Sequence, residues 1–292
     1  MSCIKSTNIK VFVKVFLLKC SNLIFLILFI AGFIFFPVES GVADVNLPLS
    51  VRQIGMGYTI YVDQPDPLLF FSNPVALSST LNWSVGSFYT RLFNLQDLGL
   101  IAITGAKRFG NWTAGLGANY FGFDYYHEQT IAAGLSNTLN DRFAWGFSIR
   151  FQQITIKNYG SSGSLVFDAG WKFSATQQAS ILGSIQNISR ATIGQGNEKL
   201  PQTIQVGIQF IPVAGVIAAT EVFNELGFEP EARFGVEVDL YQSIKVRGGI
   251  TRNPSRFTGG FSLQILAGRI DYGFSNHIEL GYTHALSVVL AK

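Results

Sequence analysis

The chain has 292 residues, is 48% hydrophobic and only 13% charged, and contains 30 Gly and 26 Phe. An average soluble domain is about one quarter charged, so this composition points to a membrane β-barrel or a very apolar β-sandwich. Four of the 21 basic residues and one of the 18 acidic residues precede Asp44, so a chain starting there carries 17 of each; that neutrality excludes the broad basic field of a nucleic-acid binder.

The first 20 residues hold Lys5, Lys10, Lys14 and Lys19 and no acid, and residues 21–38 are apolar and uncharged. Gly41-Val42-Ala43 then places small residues at −3 and −1 of a cut before Asp44. This is the layout of a secretory signal peptide over residues 1–43. An apolar run of about 18 residues is also long enough for an uncleaved anchor. N-terminal sequencing of membrane-extracted protein separates the two, with a start at Asp44 expected and recovery of Met1 arguing for the anchor. Both cysteines, Cys3 and Cys20, lie in the leader, which removes disulfides, thiol catalysis and Cys-based zinc sites from the mature chain. In residues 44–81, Asp63, Pro65, Asp66, Pro67 and Asn73-Pro74 interrupt any regular ladder, so this stretch reads as an N-terminal segment outside the sheet.

From Asn82 onward the pattern predicts 14 strands: about 82–90, 97–107, 111–121, 127–136, 141–155, 163–174, 178–188, 202–211, 215–223, 230–240, 244–251, 256–266, 269–275 and 279–290. Eight alternate cleanly between apolar and polar residues, the mark of a strand with two environments. In 142–152, Phe143, Trp145, Phe147, Ile149 and Phe151 share one face, and Ala144, Gly146, Ser148, Arg150 and Gln152 the other. Strands of about ten residues can cross a bilayer when tilted.

A soluble sandwich also alternates, but its wet face usually carries more Lys and Glu. Here the polar faces are small, with isolated charges at Arg150, Asp168, Lys172, Arg233, Glu237, Asp239, Lys245 and Arg247. We therefore read an all-β transmembrane antiparallel barrel whose aromatic faces meet lipid and whose isolated charges face the lumen. Phe147 and Phe167 then lie outside, Arg150 and Asp168 inside, and Ser148→Arg costs less than Phe147→Arg if the lumen has room. Connections on the side of the termini are short, and those on the other side, such as 121–126, 157–160 and 189–201, are longer, as in outer-membrane barrels. A three-residue loop Tyr241-Gln242-Ser243 places Leu240 opposite Ile244 and Val238 opposite Val246. Asp239 then meets Lys245 and Glu237 meets Arg247 on the lumen face. Reversing one charge of such a pair destabilises it, and reversing both is expected to recover most of the loss.

Catalytic signatures are missing. The histidines are His127, His277 and His284, with no zinc-protease motif, nucleophile elbow or glycine-rich phosphate loop. No catalytic, metal or cofactor residue is expected. The strand glycines read as lumen space or barrel bends.

Two stretches carry a family resemblance. Gln53-Ile54-Gly55-Met56-Gly57 followed by Asp66-Pro67-Leu68-Leu69-Phe70-Phe71-Ser72-Asn73-Pro74-Val75-Ala76-Leu77 resembles the N-terminal signature of FadL-like barrels, closest to the PorV/PorQ group of outer-membrane proteins. Ile270-Asp271-Tyr272-Gly273-Phe274 with Glu279-Leu280-Gly281-Tyr282-Thr283-His284 resembles that group's closing strand pair. Val75 stands where the pattern has Ala, and Ala291-Lys292 where it has a terminal aromatic residue. The resemblance implies a barrel of about 14 strands over residues 82–292 with residues 44–81 inside it as a plug or hatch, Asp66, Asn73 and Pro74 forming the plug motif.

It further implies an outer-membrane protein of type IX-like export or surface attachment. Its partners would be the lipid bilayer and secreted proteins or secretion components, with no nucleic acid. The alternative is a FadL-like channel for hydrophobic small molecules, and a third reading is an outer-membrane lipid hydrolase. A narrow, plugged lumen favours the first. An apolar pocket leading to a lateral wall gap favours the second, and a Ser–His pair at the lipid boundary the third.

Overall fold

The computed structural model describes residues 48–292; the leader, its lysines and cysteines, and the cut before Asp44 lie outside the described residues. Strict alternation gives each strand one apolar and one polar face, and closing the sheet on itself leaves no unpaired edge. The strands are β1 (Trp83–Arg91), β2 (Gly99–Phe109), β3 (Trp112–Phe123), β4 (Tyr126–Asn140), β5 (Phe143–Ile156), β6 (Gly160–Ser174) and β7 (Ala179–Gln186). After β8 (Thr192–Ile193) and β9 (Glu198–Lys199) come β10 (Thr203–Val213), β11 (Val216–Glu225), β12 (Glu231–Tyr241), β13 (Ile244–Arg252), β14 (Arg256–Ile265), β15 (Gly268–His277) and β16 (Gly281–Ala291).

Fourteen of them form one closed antiparallel barrel, and β8 and β9 pair only with each other, in the connection between β7 and β10. β1 closes the ring on β16, with Ser84 opposite Ala291 and Arg91 opposite His284. Turns on the side of the termini are short. The expected 121–126 loop shrinks to Asp124-Tyr125, because Phe121 pairs with Glu128 and Phe123 with Tyr126.

The apolar residues of the alternating strands face outward. Phe147 is 43% exposed, Ile131 66%, Ile208 50% and Leu286 51%, so the belt runs around strands far apart in the ring. An apolar surface of that extent is far beyond what a monomer tolerates in water, and it fits a bilayer. Among the described residues no helix is long and apolar enough to cross a membrane; the strands cross. Phe147 and Phe167 stack on this outer face at 6.0 Å. Phe147→Arg is expected to cost about 2–4 kcal/mol at mid-bilayer, read by urea unfolding from lipid vesicles. Ser148, on the opposite face, is 1% exposed and donates a hydrogen bond to Asp168. The lumen therefore has no spare room there, and Ser148→Arg is not the mild substitution the sequence suggests.

Candidate functional site

Residues 48–80 are built from three short helical pieces with side-chain caps. Ser50 caps helix α1 (Val51–Gly55), accepting from Gln53 N–H. Asp66 caps a 3-10 turn, Pro67–Phe71, and Asn73 caps a second, Pro74–Ser79, accepting from the amides of Leu68 and Val75. An acceptor side chain followed by Pro at the first helical position is a favoured helix start, so Asp66-Pro67 and Asn73-Pro74 begin turns rather than merely breaking strands.

The segment lies against the inner faces of strands on every side of the ring. Part of the packing is apolar: Leu68, Phe70, Phe71 and Leu77 pack with Phe88 of β1, Leu100 and Ala106 of β2, Ala132 of β4 and Val289 of β16, and smaller apolar clusters reach β5, β7 and β11. Other contacts are polar. Asp66 accepts from Arg269, Arg269 pairs with Asp271, Asp271 with Arg247, Arg247 with Glu237, and Glu237 with Arg52. This series alternates in sign and begins and ends on the segment, while its middle belongs to β12, β13 and β15. Glu237 accepts from Arg52 at 3.2 and 3.1 Å and from the Tyr61 hydroxyl at 2.6 Å. Burial pulls the Arg52 guanidinium down to about 10 against the attraction of Glu237, so it stays charged at neutral pH.

Three further sets of contacts hold the segment. Arg233 pairs with Glu221 and Glu231, and Glu221 accepts from Ile60 N–H at 3.1 Å. Lys172 donates to the Val62 carbonyl at 2.7 Å and pairs with Asp63. Gln186 and Gln205 donate to the Ser72 carbonyl, and Asn73 donates to the Gly183 carbonyl. Backbone also meets backbone. The paired glycines Gly235 and Gly249 carry Met56-Gly57, while Gly146 carries the Pro74-Val75 backbone and its partner Gly170 makes room for the Asn73 side chain. A Cβ would lie 2.1 Å from the Met56 carbonyl oxygen at Gly235 and 2.5 Å from the Pro74 carbonyl carbon at Gly146. These glycines make a close approach possible, a use beyond the lumen space or bends read from the sequence.

Of the eight charges assigned to the lumen, Asp168, Arg233, Glu237 and Arg247 are buried, and Arg150 and Lys172 are partly so. Arg150 binds Asp168 in two-pronged fashion at 2.6 and 2.8 Å, apart from the segment. Asp239 and Lys245 pair at 2.5 Å, but the Asp239 side chain is 39% exposed, at the mouth by the β12–β13 turn rather than inside. Glu237 lies opposite Arg247 and Asp239 opposite Lys245, whereas Ile244 pairs with Tyr241 and not Leu240, because the register shifts after Asp239.

The C-terminal motif divides by strand face. Asp271 joins the charged series, and Thr283 accepts from Phe93 N–H inside. Tyr272 and His284 share a 2.8 Å hydrogen bond outside. Glu279 and Leu280 lie in the turn before Gly281 and donate their amides to His277. Arg52, Tyr61, Glu221, Glu231 and Arg269 join these contacts although none is counted among the lumen charges read from the sequence. The signal was present for Arg269, which shares a strand face with Asp271, and for Glu231, which shares one with Arg233 and Glu237.

Among the described residues no group of three metal-ligating side chains forms. The arrangement holds the segment by charge and packing. No protein-family model matches the chain, and no curated protein does. Solved structures do. The toluene transporter TodX of P. putida aligns with TM-score 0.66 at 9% identity, over 81% of this chain and 97% of that one. The toluene transporter TbuX of Ralstonia pickettii gives 0.59 at 12%, over 84% and 96%. A Pseudomonas aeruginosa FadL homologue gives 0.56 at 11%, over 87% and 100%. The fold is FadL-like. Within that FadL-like barrel β3 pairs with β2 and β4 along its length without a register shift, so the wall has no gap there. Among the described residues the hydrogen-bond partners of His277 and His284 are the amides of Glu279 and Leu280 and the Tyr272 hydroxyl, not serine.

Proposed function

We propose that this chain is an outer-membrane channel for small apolar molecules, with residues 48–80 as its gate and residues 1–43 as the removable export leader. The observation that carries the reading is the mixed lining of the lumen. Apolar side chains of the segment lie on β1, β2, β4 and β16, while its charges are latched to β12 and β15. A shift of the apolar contacts opens a greasy path while the polar latch still holds. The likeness to toluene transporters supports this solute class. It also favours the channel over the export role that the PorV/PorQ resemblance implies.

A disulfide lock tests the gate. A Cβ on Gly86 would lie 3.0 Å from Leu68 Cγ, about the spacing of a Cβ from the far sulfur in a disulfide of ordinary geometry. In intact Gram-negative cells, the barrel should speed influx of the fluorescent apolar probe N-phenyl-1-naphthylamine. Oxidised Leu68→Cys with Gly86→Cys should fall to the empty-vector rate and recover on reduction. Influx indifferent to the lock, or equal to vector throughout, would sink the channel.

A second reading, protein export or surface attachment, draws on the same filled lumen, which leaves the barrel as a platform. Its test is a pull-down from outer membranes: co-purification of exported proteins together with lock-insensitive probe influx would favour it.

A further inference from the structure

Outside the barrel, across β1–β5, small residues interrupt the apolar belt. Gly105 pairs with Leu116 and Leu116 with Ala133, while Ala114 pairs with Lys107 and with Leu135. Gly105 and Ala133 therefore lie level on either side of Leu116, with Ala114 between them one step nearer the side of the termini. Phe109, Trp112, Leu135 and Phe147 flank them, and the resulting groove holds about 930 Å³. It is open at its floor: a Cβ on Gly105 would meet only Val85, at 4.0 Å.

One charge stands at the end of this groove. Lys107 is exposed on the outer face, two residues before the end of β2 on the side of the termini. Its Nζ donates to the Asn82 side-chain oxygen at 2.7 Å, a neutral acceptor that leaves the charge uncancelled. Beside it Trp112 and Trp145 meet edge-on at 5.6 Å. Tryptophans and a snorkelling lysine mark the headgroup level of a bilayer.

We propose that the groove is a specific site for one phospholipid of the leaflet on the side of the termini. An acyl chain lies over Gly105, Ala114 and Ala133, and the phosphate sits on Lys107. Any lipid tail covers an apolar wall; a trough ending in an uncancelled cation selects a chain tethered to an oxyanion. A second copy of the barrel fits less well. Two copies in one membrane share its normal as their symmetry axis, so an isologous contact sets Lys107 against Lys107 at one depth. The site rests on the membrane placement of the belt and not on the channel reading.

Native mass spectrometry of the barrel released from phosphatidylglycerol–phosphatidylethanolamine nanodiscs tests this. Wild-type barrel should keep one phospholipid. Lys107→Gln should weaken retention about tenfold, the loss of one charge-assisted contact. Gly105→Leu fills the trough without touching the wall and should abolish retention. Gly248→Leu is the control, since a side chain there also meets open space, and it should change nothing. Heat-modifiable gel migration verifies that each variant is folded. Equal retention in all four proteins would overturn the site, as would a doubled protein mass that Gly105→Leu removes.

Discussion

Glu237→Ala is expected to lower the stability of the barrel by about 3–5 kcal/mol, because removing one member of a buried ion pair strands the charges it held. Glu237 is 1% exposed and contacts Arg52, Tyr61 and Arg247 at once. Its loss strands the Arg52 guanidinium on the segment and leaves Arg247 on β13 with one acidic partner, Asp271. The same geometry changes the outcome of charge reversal. Glu237→Arg with Arg247→Glu restores opposite charges between β12 and β13. It nevertheless sets a cation at position 237 against Arg52 and an anion at position 247 against Asp271. Most of the loss should remain, contrary to the simple pairing read from the sequence. Reversing both Asp239 and Lys245 at the mouth should recover only part of the loss, with a coupling of about 0.2–1 kcal/mol, because Lys245 also lies 3.9 Å from Glu237. Double-mutant cycles on urea unfolding in vesicles measure both. Full recovery at 237 and 247 would mean that Arg52 does not dock on Glu237.

The barrel was legible because its signal is local. Period two survives in strands such as β5 and β10, whatever they pair with, and the apolar pattern also brought Glu237 opposite Arg247. Leu240 and Ile244 were misplaced because the loop is Gln242-Ser243 and the register shifts after Asp239, a feature that alternation cannot carry. The segment was legible only as turns. Arg52 meets Glu237 across 185 positions, and nothing near either residue announces the other. The series from Asp66 to Arg52 exists only once the ring has closed and brought β15 and β12 around the same segment. The C-terminal motif reads as one block in sequence, yet alternation sends Asp271 inward and Tyr272 outward, so its residues serve different surroundings.

Gly249→Ala is expected to loosen the segment where Gly248→Ala does not, and the comparison isolates what the inner glycines do. The two residues are neighbours on β13, with the same strand propensity and opposite faces. A Cβ at Gly249 would lie 2.1 Å from Gly57 N and 2.6 Å from the Met56 carbonyl carbon, whereas at Gly248 it meets nothing within 4 Å. The obstacles are backbone and cannot swing aside. Gly57 itself sits at φ 62 with its amide donating to Thr258, so the turn has little freedom to retreat. Overpacking of this kind costs about 1–3 kcal/mol. At Gly248 the methyl only restricts the unfolded chain, which is neutral or stabilising by about 0.4–1 kcal/mol. Protease cleavage within residues 48–80 should rise in Gly249→Ala alone, while the heat-modifiable migration of the barrel persists. If the segment gates the lumen, influx of the apolar probe rises in the same variant. Equal behaviour of the two alanines in cleavage and unfolding would mean that Met56-Gly57 does not rest on the Gly235–Gly249 pair, and the docked segment would have to be abandoned.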